Sequence, residues 1–279
     1  MRLLSIELYK LWHNRISKIL IFSYFILIFS IAILSTIKVE IGPINFHLAD
    51  QGIFNFPYIW HFNSFMIGLL KIFFAVIIVA MIGNEYSYKT LKQNLIDGLS
   101  KEEFLRSKVY AILAFVGIST LLVFLISLVL GGIYSDYNEL QIVFSDLEYL
   151  LAYAIKLFGF FSLCLFLGLL IKRSAFALGF LALWQIIEGI CFGLMKWKLS
   201  DLIPSHSAEQ IFRFFPLNAM GNLIKEPFSR LSAIQNIADQ IGEGFTKDYG
   251  VSTLNLCIVL AWSSLFLWWS LLLLKKRDL

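Results

Sequence analysis

The segment 84-NEYSYKTLKQNLIDGLSKEEFLRSK-108 breaks into a chain that is otherwise mostly apolar. Within it Leu91, Leu95 and Leu99 recur every four residues, which predicts one apolar stripe on a polar helix. Gly98 suits the left-handed position that closes such a helix. Ser100-Lys101-Glu102-Glu103 then reads as a capping box, with Ser100 and Glu103 satisfying each other's free amides. The second helix runs through Phe104, Leu105 and Lys108 into the next apolar stretch. The expected shape is a helix, a corner and a helix, continuous with apolar helices on both sides. A rigid knuckle of this kind can pass a displacement into those helices. The residues alone equally allow a surface connector with no partner.

Composition sets the frame for this knuckle. The chain has 279 residues, 59% hydrophobic, 15% charged and 27 of them phenylalanine, with a mean hydropathy of +0.78. Soluble domains are about one quarter charged. The expectation is therefore an all-α membrane protein, a single domain over residues 1–279. Six stretches are apolar enough to cross about 30 Å of hydrocarbon, at 19–37, 62–83, 109–133, 150–171, 175–195 and 254–274. The first resembles a signal peptide at its start, but shows no small-x-small cleavage site at its end and is read as a retained span. Cys164, Cys191 and Cys257 lie inside apolar runs, which speaks against disulfides and a zinc cluster. His47, His61 and His206 lack the tight spacing of a metal site, so no metal is expected.

Basic residues give the expected sidedness. Arg2, Lys10, Arg15 and Lys18, then Lys89, Lys92, Lys101, Arg106 and Lys108, then Lys172–Arg173, then Lys275–Lys276–Arg277 hold 14 of the 23 lysines and arginines. All fall on one side of a six-span plan, which puts both termini in the cytoplasm. The loop between spans three and four has Asp136, Glu139, Asp146 and Glu148 and no base. Trp60 and Trp197 fall at expected outer ends, and Trp12, Trp268 and Trp269 near inner ones, as in an aromatic belt. Residues 1–16 read as a helix on the membrane surface, with Leu4, Leu8, Leu11 and Trp12 on one face and Glu7, Lys10, Asn14 and Arg15 turned away. The outer loop 196–253 contains 212-FRFFPLNAMGNLI-224, too apolar for a free loop and too short to span. It is expected to be interfacial or re-entrant, broken at Pro216.

Three ionisable residues fall deep in expected spans: Lys71, Lys156 and Glu188. Alone at mid-bilayer, each would cost about 2.5–3.5 kcal/mol. The expectation is that Glu188 pairs with Lys71 or Lys156, locking the bundle or lining a polar route, with Lys156 also able to snorkel outward.

The pattern Glu85, Lys89–Thr90, Leu99–Ser100–Lys101 and Lys108 resembles the segment between spans two and three of type-2 ABC-transporter permeases. The resemblance extends to the arm with its Glu7-Leu8-Tyr9-Lys10 run, the six-span plan and the enlarged last outer loop. Lys89 stands where that family often has glycine, and Lys101 where it often has arginine. In the family this segment is the coupling helix, seated in a cleft of the ATPase subunit. The resemblance thus implies that Glu85, Thr90, Leu91, Leu95, Gly98, Ser100, Lys101 and Lys108 serve ATPase coupling. It also implies a multi-pass permease of the cytoplasmic (inner) membrane, most simply an exporter. Its partners would be a separate ABC ATPase that binds ATP and magnesium, a second permease copy and membrane lipid, but not nucleic acid. This chain would bind no cofactor and catalyse nothing itself; it has neither a GxxxxGK[ST] phosphate loop nor HExxH. Two alternatives are a secondary transporter, which would show inverted repeats, and a non-transporting membrane anchor of a complex.

Overall fold

The structure, a computed structural model, describes residues 2–34, 38–41, 44–47, 52–198, 205–231, 235 and 248–277. The end of the first expected span (35–37), most of 232–247 in the loop expected to lie outside, and the side chains of His47 and His206 lie outside the described residues. Among the described residues six helices are long and apolar enough to cross a membrane: Arg15–Ile33, Tyr58–Ser87, Lys101–Tyr134, Leu140–Ile171, Ser174–Met195 and Thr253–Lys276, spans 1 to 6 below. Beside them lies an antiparallel hairpin of Lys38–Ile41 and Ile44–His47, which no apolar pattern announces.

Local chemistry explains where the helices begin and bend. An arm helix, Arg2–His13, ends at Asn14, whose side-chain oxygen accepts the amides of Ile16 (2.9 Å) and Ser17 (3.1 Å) and so starts span 1. The knuckle helix Thr90–Ile96 ends as its sequence predicts. Gly98 takes φ +95°, with Gly98 N–H donating to Leu95 O and Leu99 N–H to Asn94 O, the paired bonds of a Schellman close. Both halves of the capping box form: Glu103 N–H donates to Ser100 Oγ (3.1 Å) and Ser100 N–H to Glu103 Oε2 (2.9 Å). One helix then runs unbroken from Lys101 to Tyr134. Span 2 is also continuous, but tightens to a 3₁₀ turn at Leu69–Lys71.

Span 4 is the buried axis, packed by spans 2, 3, 5 and 6. Spans 1 and 5 are the least buried, with Ile26, Phe29, Phe180, Ile187 and Ile190 facing outward. Polar contacts tie the core: the hydroxyls of Tyr24, Ser119 and Tyr153 join spans 1, 3 and 4, and Asn63 Nδ2 donates to Ser127 Oγ (2.9 Å) between spans 2 and 3. Hydroxyls in hydrocarbon need such partners because no water is at hand. Trp60 is fully buried, stacked on Phe124 and donating to Val143 O (2.8 Å). It is thus a core residue and not part of a lipid-facing belt. Trp12, Trp197 and Trp268 are exposed.

The apolar segment around Pro216 folds inward. Pro216 opens the short helix Pro216–Gly221, where its missing N–H costs nothing. Leu217, Met220, Leu223 and Ile224 are buried. Trp262 Nε1 donates to Phe214 O (2.8 Å), and Arg213 donates to Asn255 and Ser252, all on span 6 or its lead-in. Met220 reaches Gly159 in the middle of span 4. A Cβ at Gly159 would sit 2.8 Å from Val259 Cγ1 and 3.1 Å from Met220 Cε, so span 6 and this segment close in only because the position is glycine. Gly159→Leu is expected to cost about 1–3 kcal/mol through overpacking, read as a lower melting temperature in detergent; an unchanged melting temperature would contradict this packing.

Candidate functional site

The knuckle is anchored by one buried lysine. Lys108, on the second turn of span 3, has no exposed surface, and its Nζ lies 2.7 Å from Glu7 Oε2 and 2.7 Å from Glu85 Oε1. Glu7 belongs to the arm helix and Glu85 to the last turns of span 2; they are 3% and 4% exposed. Ser107 Oγ donates to Glu7 Oε1 (3.1 Å), Lys10 Nζ to Glu85 Oε1 (3.0 Å), and Thr90 Oγ1 to Glu85 Oε2 (2.5 Å). Arm, span 2, knuckle and span 3 therefore share a single charge network. Breaking a buried pair leaves an uncompensated charge, which costs about 3–5 kcal/mol. A cavity of about 220 Å³ lies beside the network, between the arm and the end of span 2, and is lined by Asn14, Met81, Asn84 and Tyr88 among others.

A second set of contacts closes the same end of the bundle. Lys101 Nζ donates to Arg277 O (2.7 Å), and Lys275 pairs with Glu102 (2.7 Å) at the surface. Arg277 donates to Leu169 O (2.5 Å) and Leu170 O (3.1 Å), the free carbonyls ending span 4, and to Tyr86 OH (3.2 Å). The arm, the knuckle and the end of span 6 thus meet at one end of the molecule.

A family model described as "ABC-2 family transporter protein" matches residues 6–279. The chain belongs to the ABC-2 transporter family. No curated protein matches it.

In this ABC-2 family chain the expected coupling residues have different surroundings. Glu85, Thr90 and Lys108 meet in the charge network, Gly98 and Ser100 shape the corner, and Lys101 holds the end of span 6. Leu91 is buried, and Leu95 and Leu99 are partly buried against the protein's own core. The leucine stripe therefore seats the knuckle on this chain. The outward surface instead includes Tyr88, Lys89, Lys92 and Ile96, with Gln93 and Asp97 beside them. Lys89 takes φ +55° directly before the knuckle helix.

Two expectations need correction. Glu7 is not turned away: it shares a face with Leu4 and Leu11 and is buried, while Leu8 and Trp12 are exposed. Its spacing from Leu4 (three) and Leu11 (four) carries that signal. Glu188 is buried but pairs with neither lysine. Among the described residues its oxygens accept from Trp184 Nε1 (2.6 Å) and from the amides of Leu217 (3.4 Å) and Asn218 (3.0 Å). Span 5 thereby pins the start of the Pro216 helix, and a carboxylate suits that end of a helix. Lys71 sits 4.2 Å from the centroid of the Phe160 ring and Lys156 5.9 Å from that of Phe65.

Removing Lys108 tests the network. Lys108→Met is expected to cost about 3–5 kcal/mol because Glu7 is left buried without a cation and Glu85 keeps only the half-exposed Lys10. Adding Glu7→Gln and Glu85→Gln should restore most of that loss. Denaturation of the purified chain reads both; a triple variant no more stable than Lys108→Met would contradict the network.

Proposed function

We propose that this chain is the permease subunit of an ATP-driven exporter, working with a separate ABC ATPase and a second permease copy. What supports the reading is the single buried lysine that joins the arm, span 2, the knuckle and span 3. Force applied to the knuckle from outside the chain has a stiff path into two spans. The termini and the basic residues clustered with them face the cytoplasm, where ATP is available, and the Pro216 segment faces outward. The ATPase meets the exposed Tyr88, Lys89, Lys92 and Ile96. A mixed basic and apolar surface of this kind calls for an acidic, aromatic-lined cleft on the partner. As the ATPase pair closes on ATP and magnesium, the knuckle carries spans 2 and 3 with it and opens a path between the two permease copies toward the outer side.

Purification of the tagged chain from mild detergent should bring down an ATPase with ATP-hydrolysing activity. Lys92→Glu with Ile96→Asp alters only exposed positions, so the chain should keep its yield and melting temperature. Its recovery of the ATPase should fall at least about ten-fold, the effect of about 1.4 kcal/mol at an interface. If the double variant recovered as much ATPase as the wild type, the docking face would be elsewhere. Should no ATPase accompany the wild type, the secondary-transporter reading would replace this one.

A further inference from the structure

Spans 2 and 4 run side by side, and the seam between them sets cations against aromatic rings. At one end Arg230 lies over the rings of Tyr58 (4.6 Å) and Tyr249 (5.2 Å), and its NH1 is 3.3 Å from His61 Nδ1. His61 stacks on Tyr149 of span 4, 4.5 Å between centroids. One turn further along span 2 is Phe65, which faces Lys156 on span 4. One turn beyond Lys156 is Phe160, whose ring faces Lys71 on span 2. The sequence spacing His61, Phe65, Gly68, Lys71 on one helix and Tyr149, Lys156, Phe160 on the other keeps all of them on facing stripes.

Among the described residues no carboxylate pairs with Lys71 or Lys156; the lysines that do find carboxylates, Lys10, Lys108 and Lys275, lie at the knuckle end. Glu188, the acid expected to neutralise the seam, is occupied by Trp184 and two backbone amides. Lys156 is 7% exposed. A ring face attracts a cation but does not neutralise it. Span 2 also departs from α-helical winding at Leu69–Lys71, and 3₁₀ turns inside long helices often sit at working positions. Lys71 itself is only partly buried. Leu69 and Ile72 beside it, and Phe228 against Phe65, are exposed apolar side chains.

From this arrangement we infer that the span 2–span 4 seam is a binding site for an anionic amphiphile. Its phosphate or carboxylate headgroup would lie between Lys71 and Lys156, and its apolar tail against Leu69, Ile72 and Phe228. The acid supplies the missing counter-charge, and the aromatic rings exclude water around it. Lysine suits such a headgroup as a point charge with three donors. The site belongs to the single chain and does not depend on an ATPase.

The test uses the full chain in nanodiscs of phosphatidylcholine carrying a trace of spin-labelled phosphatidylglycerol or spin-labelled phosphatidylcholine. The immobilised fraction of each probe is measured. The wild type should retain the anionic probe over the zwitterionic one by at least about five-fold, the effect of one lysine–headgroup contact. Lys71→Gln with Lys156→Gln should lose that margin, and Lys71→Arg with Lys156→Arg should keep it, which separates lost charge from lost folding. Inorganic phosphate at millimolar concentration should not displace the lipid, because it has no tail. A wild type without preference, a Gln pair that keeps the full preference, or displacement by free phosphate would each overturn the assignment.

Discussion

Lys108 sits where three parts of the chain would otherwise separate. An ammonium group with no exposed surface, 2.7 Å from two carboxylates on different helices, can be neither solvated nor removed without leaving charge behind. The arm cannot lift from span 3 without abandoning Glu7, and the end of span 2 cannot slide without abandoning Glu85. Thr90 extends the same constraint to the first residue of the knuckle helix. The leucine stripe then presses the rest of the knuckle onto the bundle, and the Schellman close and capping box fix its corner. What results is a stiff corner with a small basic and apolar outer face.

The other end of the molecule is held by different chemistry. Glu188 on span 5 binds the first amides of the Pro216 helix, Arg213 and Trp262 hold the same segment to span 6, and Gly159 lets Met220 reach span 4. Span 4 touches both assemblies: its far carbonyls receive Arg277 and its middle receives Met220. A movement begun at the knuckle therefore meets a buried axis that also supports the Pro216 segment. The cationic seam lies along that axis, on the span that carries the knuckle.

Features set by near neighbours are legible in the amino-acid sequence itself. The six spans follow from apolar length. The corner at Gly98 and the helix start at Ser100 follow from side chains that bond to backbone within three or four residues. The pattern Glu85, Lys89–Thr90, Leu99–Ser100–Lys101 and Lys108 resembles the coupling segment of type-2 permeases, and the family match over residues 6–279 bears out that resemblance. Features set by distant partners are not. Glu7 shares the spacing of Leu4 and Leu11, but the lysine that lets a carboxylate stand on that buried face is 101 positions away. Glu188 reads as a partner for lysine because amides 29 and 30 positions on carry no side-chain signature. Trp60 reads as a belt residue, since nothing near it in sequence shows that Val143 O takes its N–H. The leucine stripe is visible, but whether it faces a partner or its own chain depends on how the knuckle folds back.

With the proposed ATPase docked on the knuckle, arm, span 2 and knuckle should move as one body. Paired spin labels at the exposed positions Ser5 and Gln93, in a chain whose three cysteines are replaced, measure this directly by pulsed electron resonance. The complex with its ATPase would be compared with and without a non-hydrolysable ATP analogue. A Ser5–Gln93 distance that stays constant, while the distance from Gln93 to the exposed Ile190 on span 5 changes, is the predicted result. A Ser5–Gln93 distance that changes as much as the second would contradict it, because the Lys108 network would then have come apart.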